Sequence, residues 1–170
     1  MMEIRPAALS EFALLPAIEA DADQAFEALD SPVSTADFPP PGTAAEFAAA
    51  FHIMVAGRPP VAFVRLEILD GQAHLQQLAV SPDHARQGIG RALVAAARAW
   101  AHEAGFTSMT LTTFRDVPFN APFYESCGFA ELSGPDMAAG LRELRRREAE
   151  LGLDAVGPRI AMKSLLAARE

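Results

Sequence analysis

The sequence predicts an α/β (α+β) domain with a central mixed sheet of about seven strands flanked by helices. Three features predict it. An apolar run (LQQLAV, 75–80), a Ser81-Pro82 break, a glycine loop (HARQGIGRA, 84–92), a helix-patterned stretch and a second apolar run (SMTLTTF, 108–114) follow one another directly. A strand, helix and strand in that succession return parallel through a right-handed crossover. Two further runs with strand character, 61–69 and 72–80, are joined by Asp70-Gly71, the strongest short signal for a two-residue hairpin and hence for antiparallel pairing. Finally, 170 residues with 51% hydrophobic content suffice for one domain, spanning 1–170, with a substantial core.

Taken in order, residues 2–5 read as a first short strand. Ser10 is placed to cap a helix whose apolar residues Phe12, Leu15 and Ile18 recur every three to four positions. Helical character fades by Asp30. The stretch DSPVSTADFPPPGT (30–43) holds too many prolines and small polar residues for a helix or a central strand, and its length suits either a binding loop or an ordered surface loop. Thr43 caps a short helix through Phe47, ahead of a strand at 51–56 and a turn at Gly57-Arg58-Pro59-Pro60. With Asp70-Gly71 as the hairpin turn, residue 67 faces 74 and 65 faces 76. Arg65, Glu67, His74 and Gln76 then share one surface, while Ala62, Val64, Leu66, Ile68, Ala73 and Leu75 form the core-facing side.

The helix behind the glycine loop carries Ile89, Leu93, Ala96, Ala97, Trp100 and Ala104 on one stripe, and Gly105 ends it. Asn120 is placed to cap a short helix containing Phe123 and Tyr124, and Gly128-Phe129 opens another strand. A charged helix over about 137–151 presents a narrow stripe of Leu141, Leu144 and Leu151, with Glu143 spaced to pair with Arg147. Pro158 precedes a last strand, 159–165.

Bulk properties exclude several classes. The formal net charge is −8, and the basic cluster at Arg142, Arg145, Arg146 and Arg147 reads as a solvated helix face, so no nucleic-acid surface is expected. An acidic surface favours cationic partners such as amines. No apolar run approaches the ~20 residues of a membrane span, and the opening MMEIRPA lacks the apolar core of a signal peptide. A cytoplasmic location with no membrane partner is therefore expected. The single cysteine, Cys127, fits a reducing compartment and a packing role. His52, His84 and His102 are too scattered to suggest a metal site.

A strand that ends in a glycine loop and feeds a helix presents backbone N–H groups, backed by the helix dipole, to a bound phosphate. The glycines allow close approach and positive φ. A nucleotide P-loop requires Gly-Lys, which does not occur in this chain, and a dinucleotide fingerprint requires a third glycine where Leu93 stands. What remains, Ala85-Arg86-Gln87-Gly88-Ile89-Gly90, resembles the acyl-CoA loop of the GNAT N-acetyltransferases, written Gln/Arg-x-x-Gly-x-Gly/Ala, with alanine in the first position. FYESCGF (123–129) is similar to the GNAT helix whose tyrosine reaches the sulfur of coenzyme A. The resemblance covers about residues 50–131.

Such a resemblance implies a GNAT-like fold with acetyl-CoA as co-substrate. Its pyrophosphate would rest on Arg86, Gln87, Gly88, Ile89, Gly90 and Arg91. The pantetheine arm would lie along Leu78, Ala79 and Val80, whose N–H groups polarise the thioester carbonyl. Asn120 would bond the pantetheine or acetyl group, or serve only as a helix cap.

Acyl transfer to an amine also needs the amine proton removed and the departing thiolate protonated. Tyr124, the only tyrosine, is the general acid in this reading; an amphipathic core tyrosine is the plainer role. Many GNAT enzymes carry a glutamate where this strand has His74 or Gln76. His74 is a suitable base at an unperturbed pKa of about 6.5, with Glu67 opposite to orient it. A non-catalytic Glu–His surface pair, a water relay or an amine delivered neutral are the alternatives. The expected activity is transfer from acetyl-CoA to a primary amine of a small molecule or peptide, by direct attack in a ternary complex. The alternative is a coenzyme A-binding sensor or scaffold with weak turnover, suggested by Ala85 and the missing strand glutamate. Residues 137–165 are the candidates for a homodimer contact.

Overall fold

The computed structural model describes residues 2–27, 29, 38 and 40–166. Positions 30–37 and 39 of the proline-rich connection lie outside them. Seven strands, β1 (Ile4–Pro6), β2 (His52–Ala56), β3 (Ala62–Leu69), β4 (Gln72–Val80), β5 (Ser108–Phe114), β6 (Ala130–Leu132) and β7 (Arg159–Leu165), are ordered β1-β2-β3-β4-β5-β7-β6 in one sheet. β4 and β5 pair parallel, while β1–β2, β2–β3, β5–β7 and β6–β7 pair antiparallel, giving the mixed sheet that the sequence predicts. The helices are α1 (Leu15–Ala22), α2 (Gln24–Glu27), α3 (Ala44–Ala48), α4 (Ile89–Glu103), α5 (Ala121–Ser126), α6 (Ala139–Glu150) and α7 (Leu153–Val156). Among the described residues no helix is long and apolar enough to cross a membrane.

The chain divides into two compact units, residues 1–67 with 75–97 and residues 68–74 with 98–170. In the first, Leu15 and Ile18 of α1 and Phe47 of α3 pack on Ile53, Val55, Phe63 and Ala79. Phe47 and Phe63 meet edge to face at 5.3 Å, the arrangement that aromatic quadrupoles favour. Thr43 caps α3 as expected, its Oγ1 accepting from Glu46 N at 3.2 Å. Ser10 does not cap. The chain enters a 3₁₀ turn over Leu9–Leu14, and the Glu11 carboxylate accepts from Ala8 N at 2.8 Å while also accepting from Arg5 at 2.6 and 2.7 Å. The Arg5 hydrogen bonds, against the cost of burial, hold the Glu11 carboxyl down at about 2.

In the second unit β5 is the spine, paired with β7 over seven residues from Ser108↔Leu165 to Phe114↔Arg159. The Gln72 side-chain oxygen ties the start of β5, accepting from Thr107 N and Ser108 N at 3.0 and 3.1 Å. α4 ends as expected at Gly105 (φ +97), with Phe106 N donating back to Ala101 O at 3.0 Å. The N-terminus of α6 takes its cap from far away. Asp70 Oδ1 and Oδ2 accept from Gly140 N and Leu141 N at 2.7 and 3.0 Å.

Three expectations of apolar burial fail. Ile68, assigned to the core side of the hairpin, is 48% exposed, and Leu151 is 63% exposed because the helix ends one residue before it. On α4 the buried stripe runs through Leu93, Val94, Ala97 and Ala101, so Ala104, one turn beyond, is exposed.

Candidate active site

In the first unit β4 stops where Ser81 N donates to Val61 O at 2.9 Å, and Pro82 then forces the chain into a 3₁₀ turn, Pro82–His84. His84 N and Ala85 N bond back to Ser81 O and Pro82 O at 2.9 and 3.2 Å. The next residues turn left-handed, Arg86 at φ +63 and Gly88 at φ +78. Ala92 N makes a helical bond to Gly88 O at 3.0 Å, and the N–H groups of Ile89 and Gly90 open α4 at its positive end. Ile89 is 7% exposed and anchors the first turn, while Arg86, Gln87, Gly88 and Arg91 are exposed. A Cβ built on Gly88 meets nothing within 4 Å, so the space above it is open to a ligand. These residues fit a phosphate.

Leu78 and Val80 are half-buried on β4, and Ala79 between them packs into the core of this unit. The parallel ladder of β4 with β5 covers Ala73↔Met109 and His74↔Thr110. Glu67 accepts from Phe51 N at 2.8 Å and lies 3.7 Å from Arg65. Arg65 in turn sits over the Phe47 ring, 5.6 Å from its centre.

In the second unit the sequence expected His74 on a surface. It is 2% exposed, and its Nδ1 lies 2.8 Å from Thr110 Oγ1. Burial lowers its pKa from 6.5 to about 4, against the opposing pull of the Glu148 and Asp70 carboxylates. The imidazole is therefore neutral at pH 7. Tyr124, on α5, is 7% exposed and makes edge contacts with Phe123 and Phe129 at 5.2 and 5.9 Å. Burial, with a smaller contribution from Cys127, raises the phenol well above its usual value, so the hydroxyl keeps its proton. Asn120 stands at the N-cap position of α5, but its side chain makes no cap bond; the helix closes through Tyr124 N to Asn120 O at 2.9 Å.

Sequence reasoning missed a buried polar network beside His74. Glu148, 8% exposed, accepts from Thr112 Oγ1 at 2.6 Å, Arg145 Nη1 at 2.8 Å and Arg159 Nη2 at 3.3 Å. Arg145 also reaches Asp154 at 3.1 Å, so it is not part of the solvated face expected of the α6 arginines. One signal was available: Ser108, Thr110 and Thr112 alternate with apolar residues on β5, marking a polar row on one face.

The profile of the Acetyltransferase (GNAT) family matches residues 15–129. Solved structures with the same fold include the ribosomal-protein-S18-alanine N-acetyltransferase from Escherichia coli (18% identity, TM-score 0.67, covering 100% of this chain and 97% of that one). PaiA N-acetyltransferase from Thermoplasma acidophilum, solved in complex with coenzyme A, is 14% identical with a TM-score of 0.65, covering 97% and 99%. Ard1 from Thermoplasma volcanium is 17% identical with a TM-score of 0.66, covering 98% and 99%. The strand, glycine loop and helix described above lie inside the matched segment, and the match takes in more than half of the sequence: the chain belongs to the GNAT acetyltransferase family.

Proposed function

We propose that this acetyltransferase moves an acetyl group from acetyl-CoA to a primary amine by direct attack within a ternary complex. The observation that carries the reading is the loop from Ala85 to Arg91, with its open left-handed Gly88 and the helix-terminal amides of Ile89 and Gly90. Those amides hold the pyrophosphate. The edge of β4 from Leu78 to Val80, past the two-pair ladder with β5, takes the pantetheine arm and directs main-chain N–H at the thioester carbonyl as negative charge develops there. The amine nitrogen bonds to the carbonyl carbon, the carbon–sulfur bond breaks, and the sulfur leaves with its electron pair; the proton that the nitrogen sheds on becoming an amide passes to solvent, from which the departing thiolate takes one up to leave as the thiol.

Tyr124 donates to that sulfur. A phenol raised above its usual pKa of about 10 does not hand its proton fully to a thiolate of pKa ~8.5; it stabilises the leaving group as a hydrogen-bond donor that never ionises. His74 is poorly matched to the role of base. With a pKa of about 4 it lies some six units below a free amine of pKa ~10, a gap of roughly 8 kcal/mol. The amine is therefore delivered already neutral, its proton lost to solvent before attack. Asn120, with no cap bond to make, has its carboxamide available to the acetyl or pantetheine group. A cytoplasmic setting, where Cys127 stays reduced, suits the reading.

The test is incubation with acetyl-CoA and a mixed panel of primary amines, following free thiol. Turnover is expected, and Gly88→Glu, which fills the open space above the loop, should nearly abolish it. The depressed pKa of His74 favours one rival, a coenzyme A sensor without turnover. Tight binding with no thiol release across a wide panel would establish the rival instead.

A further inference from the structure

Two side chains of the second unit, Arg98 on α4 and Ser164 on β7, hold buried polar atoms that no protein group bonds. Arg98 Nη2 donates to Leu165 O at 3.3 Å, and one turn on His102 Nδ1 lies 3.2 Å from Leu166 O, so this end of α4 is fastened to the end of β7. Arg98 Nε is buried and has no hydrogen-bond partner. Among the described residues no carboxylate pairs with this half-buried guanidinium, and Glu131, the acid of β6, bears on Arg115 instead. Ser164 is 2% exposed, and its Oγ has no partner either. A buried hydroxyl without a hydrogen bond is costly, and a guanidinium with a buried donor and no counter-charge is more so.

Both side chains border one point. Gly128, at φ +98, stands two residues past α5 and has no Cβ. A Cβ built there lies 3.8 Å from Ser164 Oγ and 3.9 Å from Arg98 Cζ and Nη2, its three nearest atoms beyond the adjoining residues. We infer that Arg98, Ser164 and Gly128 form a binding site for a single chloride-sized anion. Charge decides between an anion and a water. A water has two protons to donate, and the nearest atoms, a guanidinium and one hydroxyl, offer it a single acceptor. An anion accepts from Nε–H, Nη2–H and Oγ–H together and supplies the counter-charge that Arg98 lacks. Size decides between a halide and an oxyanion, because a gap about one methyl group wide has no room for a tetrahedral phosphate or sulfate. The ion ties the turn after α5, the helix that carries Tyr124, to α4 and β7.

Thermal melts of the full chain test this, with chloride replacing gluconate at constant ionic strength, in wild type, Ser164→Ala and Arg98→Gln. Wild type should gain about 2–4 °C and level off as one site fills. Each variant should gain less than about 1 °C on the same scale. Ser164→Ala gives the sharper sign. It deletes an unbonded hydroxyl, so it should melt at or above wild type in gluconate and below it in chloride. A crystal soaked in bromide should show an anomalous scatterer within hydrogen-bond reach of Ser164 Oγ and Arg98 Nε. Equal responses to chloride in wild type and Ser164→Ala would overturn the inference, as would bromide-soaked crystals with no peak at that point; a water would then fill the space. Neither measurement involves coenzyme A, so the outcome stands apart from the acetyl-transfer reading.

Discussion

Acidification should expose one buried and one half-buried group that titrate in opposite senses. Burial holds His74 down from 6.5 to about 4, and burial reinforced by Glu19 pushes Asp23 up from 3.8 to about 6. Between these limits the unfolded chain binds a proton at His74 that the folded protein refuses. That contribution is complete above pH 6.5 and drains away as the pH falls towards 4. Asp23 works the other way, because its folded form is the one that keeps the proton. Its contribution is complete below about pH 3.8 and is lost as the pH rises through 6. Going from pH 6.5 to 4.5, His74 removes about 2 kcal/mol, while Asp23, discounted for its partial exposure, returns about 1 kcal/mol. Glu11, folded at about 2, enters chiefly below its unfolded value of 4.5, and His52, lowered from 6.5 by burial, adds a loss of the same sign as His74; because His52 is common to all three proteins, the differences between them isolate the pair.

Wild type should therefore lose only about 1 kcal/mol across that range in urea unfolding. Asp23→Asn should roughly double the loss, and His74→Gln should reverse its sign, giving a protein that is more stable at pH 4.5 than at 6.5. The slope matters here, since either variant can shift the overall level. If the three proteins show parallel pH dependence, the burial of one or both groups is wrong. A His74 that titrated near 6.5 would regain its standing as a catalytic base.

Three other outcomes follow from the same geometry. Tyr124→Phe keeps the ring contacts with Phe123 and Phe129 and deletes one hydroxyl, so kcat in thiol-release assays should fall about a hundredfold while coenzyme A affinity stays within about twofold. If the amine arrives neutral, log kcat/KM should rise with unit slope up to the pKa of the substrate amine, without an inflection near 6.5, and His74→Gln should leave the shape of that profile unchanged. Asp70→Ala removes both cap bonds to Gly140 and Leu141 and should cost about 1–2 kcal/mol. Gly140→Ala should cost a similar amount, because the new Cβ would lie 2.6 Å from Asp70 Oδ1; the two losses should combine less than additively in thermal melts, since they break one contact.

The Asp70 contact also marks how far the sequence could be read. Asp70-Gly71 announces its hairpin because both residues must hold positive φ, and they do, at +55 and +73. That the Asp70 carboxylate also caps a helix 70 residues away has no local signature. The same division runs through every success and miss. Thr43, Gly105 and the strands themselves are dictated by neighbours within a few positions, and each stands where its pattern put it. Ser10 lost its cap to Glu11 because Arg5, on β1, fixes that carboxylate in place. Leu151 kept the helical period of α6, but Gly152 turns left-handed and takes the chain away.

The candidate site divides along the same line. The exposed glycine turn into α4 depends on glycine spacing and on the helix that follows, so the backbone of residues 85 to 91, proposed above as a phosphate cradle, is legible in the letters alone. The acid–base groups are not. Strand alternation assigns His74 to a face, but whether that face meets water or the Glu148 network depends on a segment more than 70 positions later. A basic imidazole and one held at about 4 are therefore the same word in the sequence. In this chain the part of the chemistry carried by backbone can be read from composition and order, and the part carried by titration is fixed only once the distant helix is in place.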